Sequence, residues 1–207
     1  MTRLVLVRHG ETAWNAEHRV QGQFDVPLND TGRRQAEAVA AALSRERFAA
    51  IWSSDLMRAR ETAAPAAAAL GLEVRLDPDL RERHYGIFET LTYAEVKARY
   101  PEDYARFERR EPDYDFRTGE SLRAFYERAV ACARRIAAAH AGDAVLVFTH
   151  GGVLDKLYRF VTGMPLSAPR DFAIPNCGIN RLAADPWRIL VWADVAHLER
   201  ALDDLPE

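Results

Sequence analysis

The chain has 207 residues, 48% of them hydrophobic and 29% charged, with a formal net charge of −3. Those proportions exclude disordered and fibrous classes, and the slightly acidic balance gives no support for nucleic-acid binding. One domain, 1–207, is expected at this length, with enough buried surface to need no disulfide or metal staple. Two lone cysteines, Cys132 and Cys177, do not make a secreted disulfide scaffold. The apolar stretch Leu4 to Val7 is too short for a signal peptide, and no run approaches the ~20 apolar residues of a membrane span. A cytoplasmic protein with no membrane partner is therefore expected. Two lysines, Lys97 and Lys156, stand against 26 arginines. That imbalance has a simple source in codon preference and a sharper one in phosphate binding.

Leu4 to Val7 reads as a buried strand, and Arg8-His9-Gly10-Glu11-Thr12 follows at its carboxyl end, where open α/β sheets bind ligands. Asn29-Asp30-Thr31-Gly32 caps a helix through Ala36, Val39, Ala40 and Leu43. Ala49 to Trp52 is the second strand. Ser53-Ser54-Asp55 then offers caps for a helix from about Met57 to Leu70, ended by Gly71. Val74 to Leu76 is a brief third strand. From Arg81 to Gly119 the chain is aromatic, charged and irregular, as in an inserted cap, placed at about 87–118. Ser121 opens a helix through Phe125, Ala129 and Ile136. Ala144 to Phe148 is again a continuous apolar strand, ending in Thr149-His150-Gly151-Gly152, with a helix to about Val161. Ile179 to Ala183 and Ile189 to Val195 close the chain as strands. Strands alternating with helices imply a layered α/β fold with a largely parallel sheet.

The informative fact is a repetition of position. His9 and His150 each stand directly after an apolar strand and directly before glycine, and parallel strands would bring both imidazoles to one sheet edge. The other histidines share no such context; His140 and His197 are expected to face solvent. Arg8 abuts a buried strand and needs a partner. Arg58 lies near a helix N-terminus, whose free N–H groups favour an anion, and arginine's planar donors suit phosphate oxygens. No P-loop, no G-x-S-x-G elbow, no H-E-x-x-H and no paired cysteines occur. A site built from histidine and arginine is left, with no metal and no cofactor expected.

Arg8-His9-Gly10-Glu11-Thr12, with Trp14-Asn15 after it, resembles the signature of the histidine phosphatase superfamily, the phosphoglycerate-mutase-like proteins. Gln21-Gly22-Gln23 with Pro27-Leu28 and Thr31-Gly32, then Ser53 to Ala63, then Leu80 to Gly86, then Gly119-Glu120-Ser121, and finally Thr149 to Val153 are similar to the family's further blocks, in order. The resemblance implies an α/β three-layer sandwich with a mostly parallel central sheet, helices on both faces and a small inserted cap. It also implies roles. His9 is the nucleophile that becomes a phosphohistidine; Arg8, Arg58 and His150 surround the phosphoryl oxygens; Glu82 is the general acid and base. Asn15, Gln21, Gly22, Arg60, Tyr85 and Gly151 help to hold phosphate or substrate.

The expected partner is a small phosphorylated metabolite, with room left for a homodimer. The reading is a phosphatase of small phosphate monoesters. A cofactor-dependent phosphoglycerate mutase is the alternative, and a catalytically weak binding or scaffold module is a third. Family mutases are longer after the acid, whereas only Ile87 to Thr118 stands here before Gly119. Against that, Arg109-Arg110 and Glu82-Arg83-His84-Tyr85-Gly86 are mutase-like. The intact set His9, Arg8, Arg58, Glu82 and His150 speaks against a scaffold.

Overall fold

Alternation within the central strands sets the layers. In the computed structural model, which describes residues 1–199 and 201–203, strand β1 (Thr2–Arg8) turns Leu4 and Leu6 to one face of a sheet and Val5 and Val7 to the other. Strand β4 (Ala144–Thr149) does the same with Val145 and Val147 against Leu146 and Phe148. Strands buried on both faces are apolar without interruption, which is why both segments read as continuous runs. With β2 (Ala50–Ser53), β3 (Val74–Leu76), β5 (Ile179–Ala184) and β6 (Arg188–Asp194) they form a six-stranded sheet in the order β3-β2-β4-β1-β5-β6. The first four in that order are mutually parallel, and β5 and β6 add on antiparallel.

Helices cover both faces. After the short α1 (Ala13–Ala16), α2 (Asp30–Leu43) and α3 (Met57–Leu70) pack Val39, Leu43, Ala63 and Ala66 against Val5, Val7, Leu146 and Phe148. A connecting segment carries α4 (Tyr93–Arg99) and α5 (Pro101–Glu108). Then α6 (Leu122–Ala139) and α7 (Gly151–Thr162) bury Phe125, Ala129, Ile136, Leu154 and Leu157 on the opposite face, against Leu4, Leu6 and Val145. The fold is thus a three-layer α/β sandwich. No helix among the described residues is long and apolar enough to cross a membrane.

The cap expected at about 87–118 has a small core of its own, in which Val20, Phe88, Val96, Tyr114 and Phe116 are buried together. The Phe88 ring meets Phe116 edge-on at 4.9 Å. Arg83 bolts this segment to the body: its guanidinium donates to the carbonyls of Glu120 and Tyr114 and lies 4.4 Å over the Phe116 ring.

Two expectations are corrected. Helix α3 starts where expected, but its N-cap is Leu56, with no side-chain cap. Ser54 and Asp55 are drawn elsewhere, to His150 and Arg81, and the Met57 N–H instead donates to Asp25 Oδ1 at 2.6 Å. His140 and His197 do not face solvent freely; both are half-buried, accepting from Trp52 Nε1 and meeting the Cys177 carbonyl.

Candidate active site

The register of the sheet brings the two histidines together. Arg8 and Thr149 are paired residues of adjacent parallel strands, so His9 and His150, one position further on, leave the sheet at the same edge. The His9 N–H donates to the Thr149 carbonyl at 2.9 Å, and the imidazole centroids lie 5.2 Å apart. Both rings are buried, at 3% and 0% exposure.

His9 Nδ1 lies 2.8 Å from the Gly10 carbonyl. A carbonyl only accepts, so Nδ1 carries the ring proton and Nε2 keeps its lone pair. Burial, with Arg58 and Arg8 close by, pushes the pKa well below the ordinary histidine value, so the ring is neutral at pH 7. His150 is depressed in the same way, by burial first and then by Arg58, His9 and Arg8. Its Nε2 is 2.8 Å from Ser54 Oγ, which also accepts the Leu56 N–H. With the Ser54 hydroxyl as donor to Nε2, the neutral ring bears its proton on Nδ1. That nitrogen is buried with no hydrogen-bond partner among the described residues, as is Arg58 Nε. The site thus holds buried donors aimed at no protein acceptor, the pattern that suits an oxyanion.

The two arginines are fixed by backbone carbonyls. Arg8 Nη1 donates to Ile174 at 2.7 Å, and Arg58 to Gly22 and Phe24 at 2.7 and 3.0 Å. A backbone carbonyl does not neutralise a charge, so the Arg58 cation remains available to a ligand. Burial lowers the Arg58 pKa to about 10, which leaves it charged at neutral pH. The free helix N-terminus expected beside Arg58 is not an open anion site, because the Asp25 carboxylate already takes the Met57 N–H. Arg58 enters the site by its side chain alone.

Glu82 is held from both sides. Its Oε1 accepts the Arg83 N–H at 2.7 Å and its Oε2 the Gly152 N–H at 2.9 Å, in the first turn of α7. Its own carbonyl accepts from Gln23 Nε2 and Arg128. Gly152 is required by this approach: a Cβ there would run into the Glu82 carboxylate and come within 2.9 Å of the Phe125 ring. Arg8, His9, Asn15, Gln21, Gly22, Arg58, Glu82 and Tyr85 line one small cavity of about 40 Å³. Thr12 Oγ1 lies 3.0 Å from the amide oxygens of both Asn15 and Gln21, which share its one proton, and so orients the pair.

Three expected site residues are not in this wall. His150 stands behind it, its ring 5.2 Å from that of His9. Arg60 is exposed on α3 and lines neither this cavity nor the larger one beside it. Two steps along a helix turn a side chain by about 200°, so a buried Arg58 sends Arg60 outward. Gly151 is buried in the first turn of α7 and lines neither cavity. Conversely, Ser54, Gly152 and Asn176, whose Nδ2 donates to the His9 carbonyl at 3.0 Å, position the site without having been singled out. Ser54 and Gly152 stood inside quoted motifs; Asn176, 167 residues from His9, carried no local signal.

A three-layer α/β sheet that delivers two neutral histidines, two arginines and a carboxylate to one edge defines a phosphoryl-handling class of protein. The chain belongs to the histidine phosphatase superfamily (branch 1), whose family profile matches residues 4–195. It is 47% identical over 202 residues to phosphoglycerate mutase-like protein 4 of Arabidopsis thaliana, covering 95% of this chain and 86% of that one. To the metal-independent phosphoserine phosphatase of the same plant it is 40% identical over 203 residues, covering 96% and 84%. Among solved structures, YhfR of Bacillus stearothermophilus superposes with a TM-score of 0.89 at 32% identity, covering 95% of this chain and 99% of that one.

Proposed function

We propose that the protein is a phosphatase of small phosphate monoesters working through a covalent phosphohistidine. The observation that carries this reading is the His9 ring, buried and neutral, with Nδ1 protonated toward Gly10 and Nε2 left as a nucleophile in a cavity shared with Arg8 and Arg58, the His150 ring 5.2 Å away. In the first step Nε2 attacks phosphorus, the P–O bond to the alcohol breaks, and Glu82 gives its proton to the leaving oxygen. In the second, Glu82 takes a proton from water as the water oxygen bonds to phosphorus and the N–P bond breaks. Arg8, Arg58 and the Nδ1 proton of His150 stabilise the equatorial oxygens in both steps; phosphoryl transfer asks mainly for such alignment and charge. Asn15, Gln21, Gly22 and Tyr85, in the same cavity wall, would touch the phosphate or the first atoms of the alcohol.

The relatives named as phosphatases support hydrolysis. Those named as mutases, together with Arg110 in the wall of the adjoining cavity, favour a second reading, transfer within a phosphoglycerate. Purified protein is expected to release inorganic phosphate from several monoesters and to interconvert 2- and 3-phosphoglycerate poorly, even with 2,3-bisphosphoglycerate present. Efficient interconversion with little phosphate released would decide for the mutase. His9→Ala is expected to abolish turnover, and label trapped on the wild-type enzyme should survive base and be lost in acid. Acid-stable label would falsify the phosphohistidine.

A further inference from the structure

A larger cavity of about 320 Å³ adjoins the phosphate site, and its walls are Arg83, Tyr85, Phe125, Gly152, Asp155 and Lys156 with residues of α5 and α6. Tyr85 belongs to both cavities, and the Gly152 N–H holds Glu82. If Glu82 protonates the leaving oxygen, the leaving alcohol projects into this larger space. The inference below therefore rests on the phosphatase reading.

The charge of the cavity is out of balance. Asp155 is the one buried carboxylate in the wall, and three cations converge on it: Lys156, Arg159 and, at 3.7 Å, Arg110. Arg83, also buried, donates to backbone carbonyls. Arg170 is matched by Asp203, and Glu108, the other carboxylate of the wall, is exposed at its rim. The buried cations Lys156, Arg159 and Arg83 thus outnumber the buried carboxylates Asp155 and Glu82, a costly arrangement unless a ligand anion completes it. Lys156 is 4% exposed and, among the described residues, has Asp155 as its single ion-pair partner. Burial draws its pKa down to about 8. It is one of two lysines in a chain that otherwise uses arginine, and its compact ammonium sits 5.5 Å over the Phe125 ring.

We propose that Lys156 is a specificity-determining residue that binds an anionic group, carboxylate or second phosphoryl, carried by the leaving alcohol, while the alcohol's apolar body lies against Tyr85, Phe107, Leu122 and Phe125. A cavity of this size admits a leaving group as large as a substituted ring.

Matched esters test this: phenyl phosphate, 4-carboxyphenyl phosphate and 4-phosphonophenyl phosphate. The wild-type protein is expected to prefer one or both anionic esters in kcat/KM. In K156M the ratio of anionic to neutral kcat/KM should fall by about tenfold or more, chiefly through KM, as for loss of one charge-assisted bond. The ester with the larger fall identifies carboxylate or phosphoryl as the group recognised. A general disturbance of the fold would lower both members of a pair alike, so an unchanged ratio overturns the proposal. Should K156M not fold, product inhibition of the unmodified protein reads the same preference. There 4-hydroxybenzoate or 4-hydroxyphenylphosphonate is expected to inhibit at lower concentration than phenol, and equal inhibition overturns it. Hydrolysis of all three esters at equal efficiency sinks this inference and leaves the phosphatase standing. Hydrolysis of none, with the protein folded, sinks both.

Discussion

At the scale of single residues, the position of one carboxylate depends on a missing methyl. Gly152 leaves room for Glu82 between α7 and Phe125. Gly152→Ala should push the carboxylate off the leaving oxygen and resemble Glu82→Gln. For both variants, hydrolysis of alkyl phosphates should drop by about 10²-fold or more, the usual worth of general acid catalysis. Loss on p-nitrophenyl phosphate should be much smaller, because its leaving group needs little protonation. Equal losses on the two substrates would mean that Glu82 serves the fold and not the proton. The histidines make a second residue-scale prediction. His9 and His150 have folded pKa values below the unfolded value, by burial first, and half-buried His197 shifts the same way. Between the two values the unfolded chain binds more protons, so stability is fully present above about pH 6.5 and is lost as pH falls below it, by up to about 1.4 kcal/mol per pH unit for each of the two buried rings and by less for His197. Urea midpoints measured at pH 7.5 and 5.5 should show this decline. The slope should flatten in the double variant His9→Gln, His150→Gln, and an unaltered slope would remove the two rings as its source.

At the scale of elements, the cap and the sheet layers hold separate cores. Phe88 is fully buried in the cap cluster and contacts Phe107, Tyr114 and Phe116. Truncating such a ring costs about 3–5 kcal/mol. Because the two faces of the sheet are packed by other residues, Phe88→Ala should loosen the cap before the body. Amide exchange is expected to accelerate over 86–118 while β1 and β4 stay protected. Uniform acceleration through the sheet would show that cap and body unfold as one unit. The same variant should lose selectivity among leaving groups, since α5 contributes Tyr104, Phe107 and Glu108 to the larger cavity.

For the whole molecule, the buried cations at the sheet edge tie stability to ligand. Arg8 and Arg58 are 2% and 0% exposed, so an oxyanion between them relieves repulsion that folding alone must bear. Vanadate at a hundredfold excess over its Kd should add about 2.7 kcal/mol. For a chain of this size that is a rise in Tm of about 5–10 °C. A scan with no shift, at a concentration that blocks turnover, would contradict binding at this site.

Much of this was legible along the chain because it is local in origin. Continuous apolar runs made the central strands, Asn29 and Ser121 capped their helices as expected, and Gly71 ended α3 in the left-handed conformation that glycine tolerates. The matching positions of His9 and His150 became a single site because adjacent parallel strands keep register. What tertiary structure decided was whatever depends on contacts between distant segments. Asp25, not Ser54, receives the α3 N-terminus; Asn176 braces His9 from 167 residues away; and Arg60 turns outward because Arg58 turns in. Lys156 shows the limit most plainly. In the sequence it is a charge on an amphipathic helix, and only the packing of α7 against α6 and the cap makes it a buried cation at a cavity wall. Period and capping are written in neighbouring residues, whereas burial of a charge is settled by whatever the rest of the chain lays over it.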